Sequence, residues 1–140
     1  MVIQRWQTVL LFLALVLVSI FSVSNYATLI QPDNMEMTVS ASANTGYWLY
    51  NVAIILILLI SIFQFKTPKL QKTFVLIAAA MIGGTAIWGY NYLQRLGIGS
   101  VDVHLNVSWI LLIIAFGFTV ISFFLICKDQ RLLKSYDHIR

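Results

Sequence analysis

Four long apolar stretches, separated by short polar ones, organise this chain. The first begins at Trp6 and runs without a charge to about Asn25, which predicts a span over residues 6–27; polar residues then dominate 31–45. A second run, Tyr47 to Phe65, stops at Lys66, Thr67, Pro68, Lys69, Leu70, Gln71 and Lys72. Proline cannot donate to a continuing helix, so this segment reads as a turn. The third run covers 73–93 and gives way to 94–106, where Arg95, Gly97, Gly99, Asp102 and His104 break the apolar pattern. The fourth fills 107–127, and a polar tail occupies 128–140. A helix needs about 20 mainly apolar residues to cross a hydrocarbon core of about 30 Å. The pattern therefore predicts an all-α integral membrane protein, a four-transmembrane-helix bundle that forms one domain over 1–140.

Composition agrees, since 60% of the residues are apolar and only 10% charged, which leaves lipid as the main solvent. Charge placement adds an orientation. Arg5, Lys66, Lys69, Lys72, Lys128, Arg131, Lys134 and Arg140 fall on one face of the span pattern, against Arg95 alone on the other. Cytoplasmic flanks retain Lys and Arg, so both termini and the central turn are expected inside. With Asp129 and Asp137 the inner segments sum to +6; Asp33, Glu36 and Asp102 bring the outer ones to −2, which together recover the net charge of +4. Anionic headgroups are the natural counterpart of the inner cations. Nucleic-acid binding is not expected, because no basic face with interleaved stacking aromatics occurs.

Tryptophan placement follows the same layout. Trp6, Trp48, Trp88 and Trp109 all stand at span ends, where an indole prefers the headgroup level, and they read as interface anchors rather than a ligand cage. Arg5 before an apolar run imitates a secretory signal, yet the run is long and Asn25 and Tyr26 stand where small residues would be wanted. A retained anchor is expected. In the third run Ala79, Gly83 and Ala86 recur at helical spacing, with Ala80 and Gly84 beside them. Small residues let helices approach closely in lipid, so this stripe reads as packing within the bundle, with a homodimer seam as the alternative. Ser19, Ser22, Asn51, Ser61, Thr85, Thr119 and Ser122 suit interhelical hydrogen bonds.

Chemistry-bearing groups are sparse. Cys127 is the only cysteine, His104 and His138 are expected on opposite faces, and Asp102 with His104 lacks further ligands, so no catalytic, cofactor or metal residues are assigned. The spans hold no Asp, Glu, Lys, Arg or His, the usual mark of a proton or cation pathway. Leu132, Leu133, Tyr136 and Ile139 give the tail an amphipathic pattern, which predicts a short cytoplasmic helix on the inner leaflet. If the first and fourth helices are neighbours, Arg5 can pair with Asp129 or Asp137 and clasp the chain ends.

The two ends also carry a resemblance. The opening Val2, Ile3, Gln4, Arg5, Trp6, Gln7, Thr8 and the close from Lys128 and Asp129 through Ser135, Tyr136, Asp137, His138, Ile139 and Arg140 resemble the termini of a domain-of-unknown-function family. That family consists of small four-span inner-membrane proteins of Bacteroidota. Its close has an acid where Gln130 stands and an arginine where His138 stands. The resemblance implies a Gram-negative cytoplasmic membrane and brings no activity. The function expected is a non-catalytic accessory or scaffold subunit whose charged termini meet a membrane-protein partner or the bilayer. Alternatives are a small-molecule transporter acting as a homo-oligomer and, behind it, a membrane-embedded lipid-modifying enzyme.

Overall fold

The computed structural model describes residues 2–96 and 102–139. Four helices carry the fold: α1 (Val2–Val23), α2 (Thr45–Phe63), α3 (Pro68–Leu96) and α4 (Ser108–His138), each containing a stretch long and apolar enough to cross a membrane. α1 packs on α2 and α4, and α3 packs on α2 and α4, so the helices form a closed ring in chain order. The widest interface joins α1 to α4, the first helix to the last.

Burial recurs every three or four residues along each helix. Gln7, Leu11, Ala14, Val18 and Phe21 face inward on α1, and Tyr47, Asn51, Ile54, Leu58 and Ser61 on α2. Gln71, Val75, Ala78, Ile82, Thr85, Gly89 and Leu93 do so on α3, and Leu112, Ala115, Thr119, Ser122 and Ile126 on α4. These stripes mix small and polar residues with apolar ones, whereas Phe12, Leu56, Ile87, Ile113 and Phe124 point outward. For helices in lipid, whose tails are as apolar as Leu, close packing rather than removal of apolar surface from water selects what goes inside. The buried hydroxyls were expected to bridge helices, and most instead turn back on their own. Ser22 donates to the Ser19 carbonyl, Ser61 to Ile57, Thr85 to Met81 and Thr119 to Phe116, at 2.8–3.1 Å. Interhelical bonds run from Tyr47 Oη to the Thr85 carbonyl at 3.1 Å and from Ser122 Oγ to the Gln7 carbonyl at 3.3 Å.

Three features differ from the expected layout. The first span ends at Val23 rather than near residue 27, because the following residues form a strand. β1 (Asn25–Ile30) is the middle of an antiparallel three-stranded sheet, with β2 (Glu36–Ser40) on one side and β3 (Asp102–Leu105) on the other. The expected loops at 31–45 and 94–106 thus supply strands, and the fold is a helical bundle with a small sheet over one end. The β1–β2 turn bonds Asn34 N–H to the Gln31 carbonyl at 2.9 Å and places Asn34 at φ 58, a left-handed conformation that asparagine tolerates. Second, α3 starts at Pro68, where a missing N–H costs nothing, so Lys69 and Lys72 belong to its first turns. Third, α4 does not stop at Cys127. The tail is its unbroken continuation to His138 rather than a separate helix, since Lys128 to Ser135 contain no glycine or proline to end it.

The helical glycines of α3 are not equivalent. A methyl on Gly89 would meet Tyr47 Oη at 2.8 Å and Trp109 at 3.3 Å, and Tyr47 is fully buried. On Gly84 it would meet only the Tyr50 hydroxyl at 2.5 Å, at the tip of a half-buried ring that can turn; on Gly83 it meets nothing within 4 Å. Gly89→Ala should therefore cost about 1–3 kcal/mol, with Gly83→Ala neutral or stabilising by up to about 1 kcal/mol. Gly84→Ala should fall between them and be relieved by Tyr50→Phe. Thermal unfolding in detergent ranks the variants; equal damage at Gly83 and Gly89 would contradict this packing.

Candidate functional site

One end of the ring gathers the start of α1, the α2–α3 turn and the projecting end of α4. The turn is held locally: Thr67 N–H bonds the Gln64 carbonyl at 3.0 Å, Thr67 Oγ1 donates to Gln64 Oε1 at 2.7 Å, and the Thr67 carbonyl receives Gln71 N–H at 3.0 Å as α3 begins. Lys66, Lys69, Lys128, Arg131 and Lys134 are exposed around this end. Lys72 is half-buried, its ammonium 5.4 Å from the Phe123 ring centroid, a cation–π contact that ties α3 to α4. Arg140 lies outside the described residues. Gln7 and Gln71, both buried here, went unnoticed in the sequence, although they keep the spacing of Leu11 and Val75. Among the described residues the Gln7 amide nitrogen has no acceptor.

The suggested clasp takes its geometry from the α1–α4 contact. Arg5 is exposed, Asp129 half-buried and Asp137 exposed, and among the described residues no ion pair joins them. Helix direction explains the gap. Ser122 is level with Gln7, so Arg5 is level with about residue 124; at about 1.5 Å per residue, Asp129 then stands about 7 Å and Asp137 about 20 Å further out along α4.

The opposite end is closed by aromatic rings. Phe21, Tyr26, Tyr47 and Trp109 lie with centroids 5.7–6.5 Å apart, mostly tilted or edge to face, and Trp88 extends the cluster to Tyr47 and Tyr50. Trp109 is thus a strut as well as a span-end residue, its indole N–H bonding the Tyr26 carbonyl at 2.9 Å. Trp6, Trp48 and Trp88 keep exposed faces. Burial, and then the nearby Tyr92 phenol, pushes the Tyr26 phenol up to about 12, so it stays neutral.

The small-residue stripe of α3 splits between two surroundings. Ala79 is buried, while Gly83 and Ala86 line an open apolar groove against Trp109, Leu112 and Phe116 of α4. Gly84 instead faces Tyr50 of α2. Cys127 is a half-buried free thiol where α4 leaves the ring. His104 on β3 and His138 at the end of α4 are exposed at opposite ends of the molecule. Among the described residues no three His, Cys, Asp or Glu gather as a metal site.

Sequence and geometry together define a class: a helical protein with four apolar spans, a sheet and ring cluster at one end, and a charged opposite end. The chain belongs to the family described as Domain of unknown function (DUF4293), which matches residues 3–139. No curated protein and no solved structure matches it.

A charge-swap cycle measures whether Arg5 and Asp129 touch. Arg5→Asp and Asp129→Arg should each cost no more than about 1 kcal/mol in purified protein, and their effects should add. Recovery in the double variant would show a direct pair.

Proposed function

We propose that this chain is a multi-pass protein of a bacterial inner membrane, with both termini and the α2–α3 turn cytoplasmic and the sheet outside. The eight-to-one division of Lys and Arg between the two ends supports this orientation. A cysteine at Ser40 should then react with an impermeant maleimide while the inner membrane is intact. Labelling only after that membrane is permeabilised would falsify the orientation.

Within the membrane the chain acts as a non-catalytic accessory or scaffold subunit. The observation that carries this reading is a division of labour along the sequence: spans without an Asp, Glu, Lys, Arg or His, and charge concentrated at one exposed end. Proton-coupled transport and hydrolysis both draw on ionisable groups held in or beside the membrane. Asp102 and His104 lie together on β3, at the other end of the bundle from Cys127, so the three form no common site. Anionic headgroups around Lys66, Lys69 and Lys72 supply the lipid contact, at about 1 kcal/mol for each cation near the surface.

Purification in mild detergent followed by mass spectrometry provides the test. A subunit should bring one membrane-protein partner in stoichiometric amount. Purification as a self-contained homo-oligomer would favour the transporter reading instead.

A further inference from the structure

The final turns of α4 pose a covering problem. From Lys128 to Ile139 the chain continues the helix and its cap beyond Ile126, the last buried residue among those described, and Arg131 to Ile139 are all exposed. Leu132, Tyr136 and Ile139 form one apolar stripe on this projection, with Leu133 at its edge; Tyr136 is 69% and Ile139 81% exposed. Taking the charge that begins at Lys128 as the hydrocarbon boundary, about 1.5 Å per residue puts Tyr136 about 12 Å and Ile139 about 16 Å beyond it. The headgroup layer is only about 5–8 Å deep on each side, and a tilt of about 20° changes these heights little. The bilayer therefore covers Leu132 at most.

A second copy fits the stripe poorly. Helices of two copies in one membrane run parallel, and Asp129 lies on the same face, three residues before Leu132 and seven before Tyr136. Parallel pairing would set Asp129 against Asp129 at the seam, a like-charge contact. The tail as a whole is basic, with Lys128, Arg131, Lys134 and Arg140 against Asp129 and Asp137, and it stands beside Lys66, Lys69 and Lys72. Opposite charge on a partner would both steer its approach and pair at the rim.

We propose that the projecting end of α4 is a docking arm for an acidic amphipathic helix of another protein, whose apolar face covers Leu132, Tyr136 and Ile139, whose carboxylates meet Lys128, Arg131 and Lys134, and which sets no acid opposite Asp129. This rests on the accessory-subunit reading and names the chemistry of the partner. Recognition is of the helix-beside-helix kind, with apolar anchors three and four residues apart supplying adhesion and charge supplying selection.

The test uses full-length protein in nanodiscs of neutral lipid, which expose both faces and so do not depend on orientation. The probes are two labelled synthetic helices with the same leucine stripe, one flanked by Glu and one by Lys, with binding followed by fluorescence anisotropy. The Glu helix should bind at least about tenfold more tightly than the Lys helix, and more weakly as salt rises. The triple variant Leu132→Ser, Tyr136→Ser, Ile139→Ser should lose about tenfold or more in affinity with an unchanged Tm, since these side chains are exposed and lie outside the packed core. Equal binding of the two helices, or undiminished binding by the triple variant, overturns the proposal. A spin label at Tyr136 supplies a further readout: relaxation by a water-soluble nickel complex is expected, and relaxation chiefly by oxygen would show that lipid covers the stripe and overturn it too. Failure of the subunit reading shows separately, as the absence of a stoichiometric partner on purification.

Discussion

The ring closes where α4 begins, and this junction holds together two parts of the chain that are about eighty residues apart. The Asn25 carbonyl receives Asn106 Nδ2 at 3.2 Å and Ser108 Oγ at 2.8 Å; the Tyr26 carbonyl receives Asn106 N–H at 3.1 Å and Trp109 Nε1 at 2.9 Å. Short turns between consecutive helices bring neighbours together at little entropic cost, but nothing local brings the first helix to the last. The middle strand does so, because its start lies against the N-terminus of α4 while its own ladder holds β2 and β3. At the far end Ser122 and Gln7 repeat the tie with one further bond.

Closing the ring this way makes the two ends of the molecule different. Rings and strands fill the end with β1, and the Asn44 side chain caps α2 there through Gly46 and Tyr47 N–H at 3.0 and 3.3 Å. The other end has only the Gln64–Thr67 turn and a fringe of cations. The first end presents packed aromatics beneath a sheet whose outer strands β2 and β3 are largely exposed, whereas the second presents exposed charges and a helix that runs beyond its neighbours.

The interior of the bundle bears on what the protein can do. Packing among Ala14, Ala78, Ala115, Thr119 and Ser122 draws backbones together; the Thr119 hydroxyl bonds a carbonyl of its own helix and the Ser122 hydroxyl one of α1. The open α3–α4 groove is almost wholly apolar.

The number and approximate centres of the spans were legible in the sequence because a hydrocarbon core demands length and apolarity, both of which are local properties. The basic end was legible for the same reason, since charge placement needs no knowledge of packing. The face of each helix turned inward was hidden, because apolar residues surround every span and the informative signal was the spacing of small and polar ones, such as Asn51, Gln71 and Gly89. The sheet was hidden too: β1 ends an apolar run and β3 has only four residues, so neither stands out until they pair. Hydropathy also misplaced the end of α4, because polarity changes at Cys127 while helix-forming preference does not. The sequence by itself determined how many helices there are and which end carries charge, through length, apolarity and the positions of Lys and Arg. Only the tertiary structure decided their order around the ring, the strands that close it and the reach of α4, because each depends on hydrogen bonds and packing between residues far apart in the chain or on helix continuity that polarity does not report.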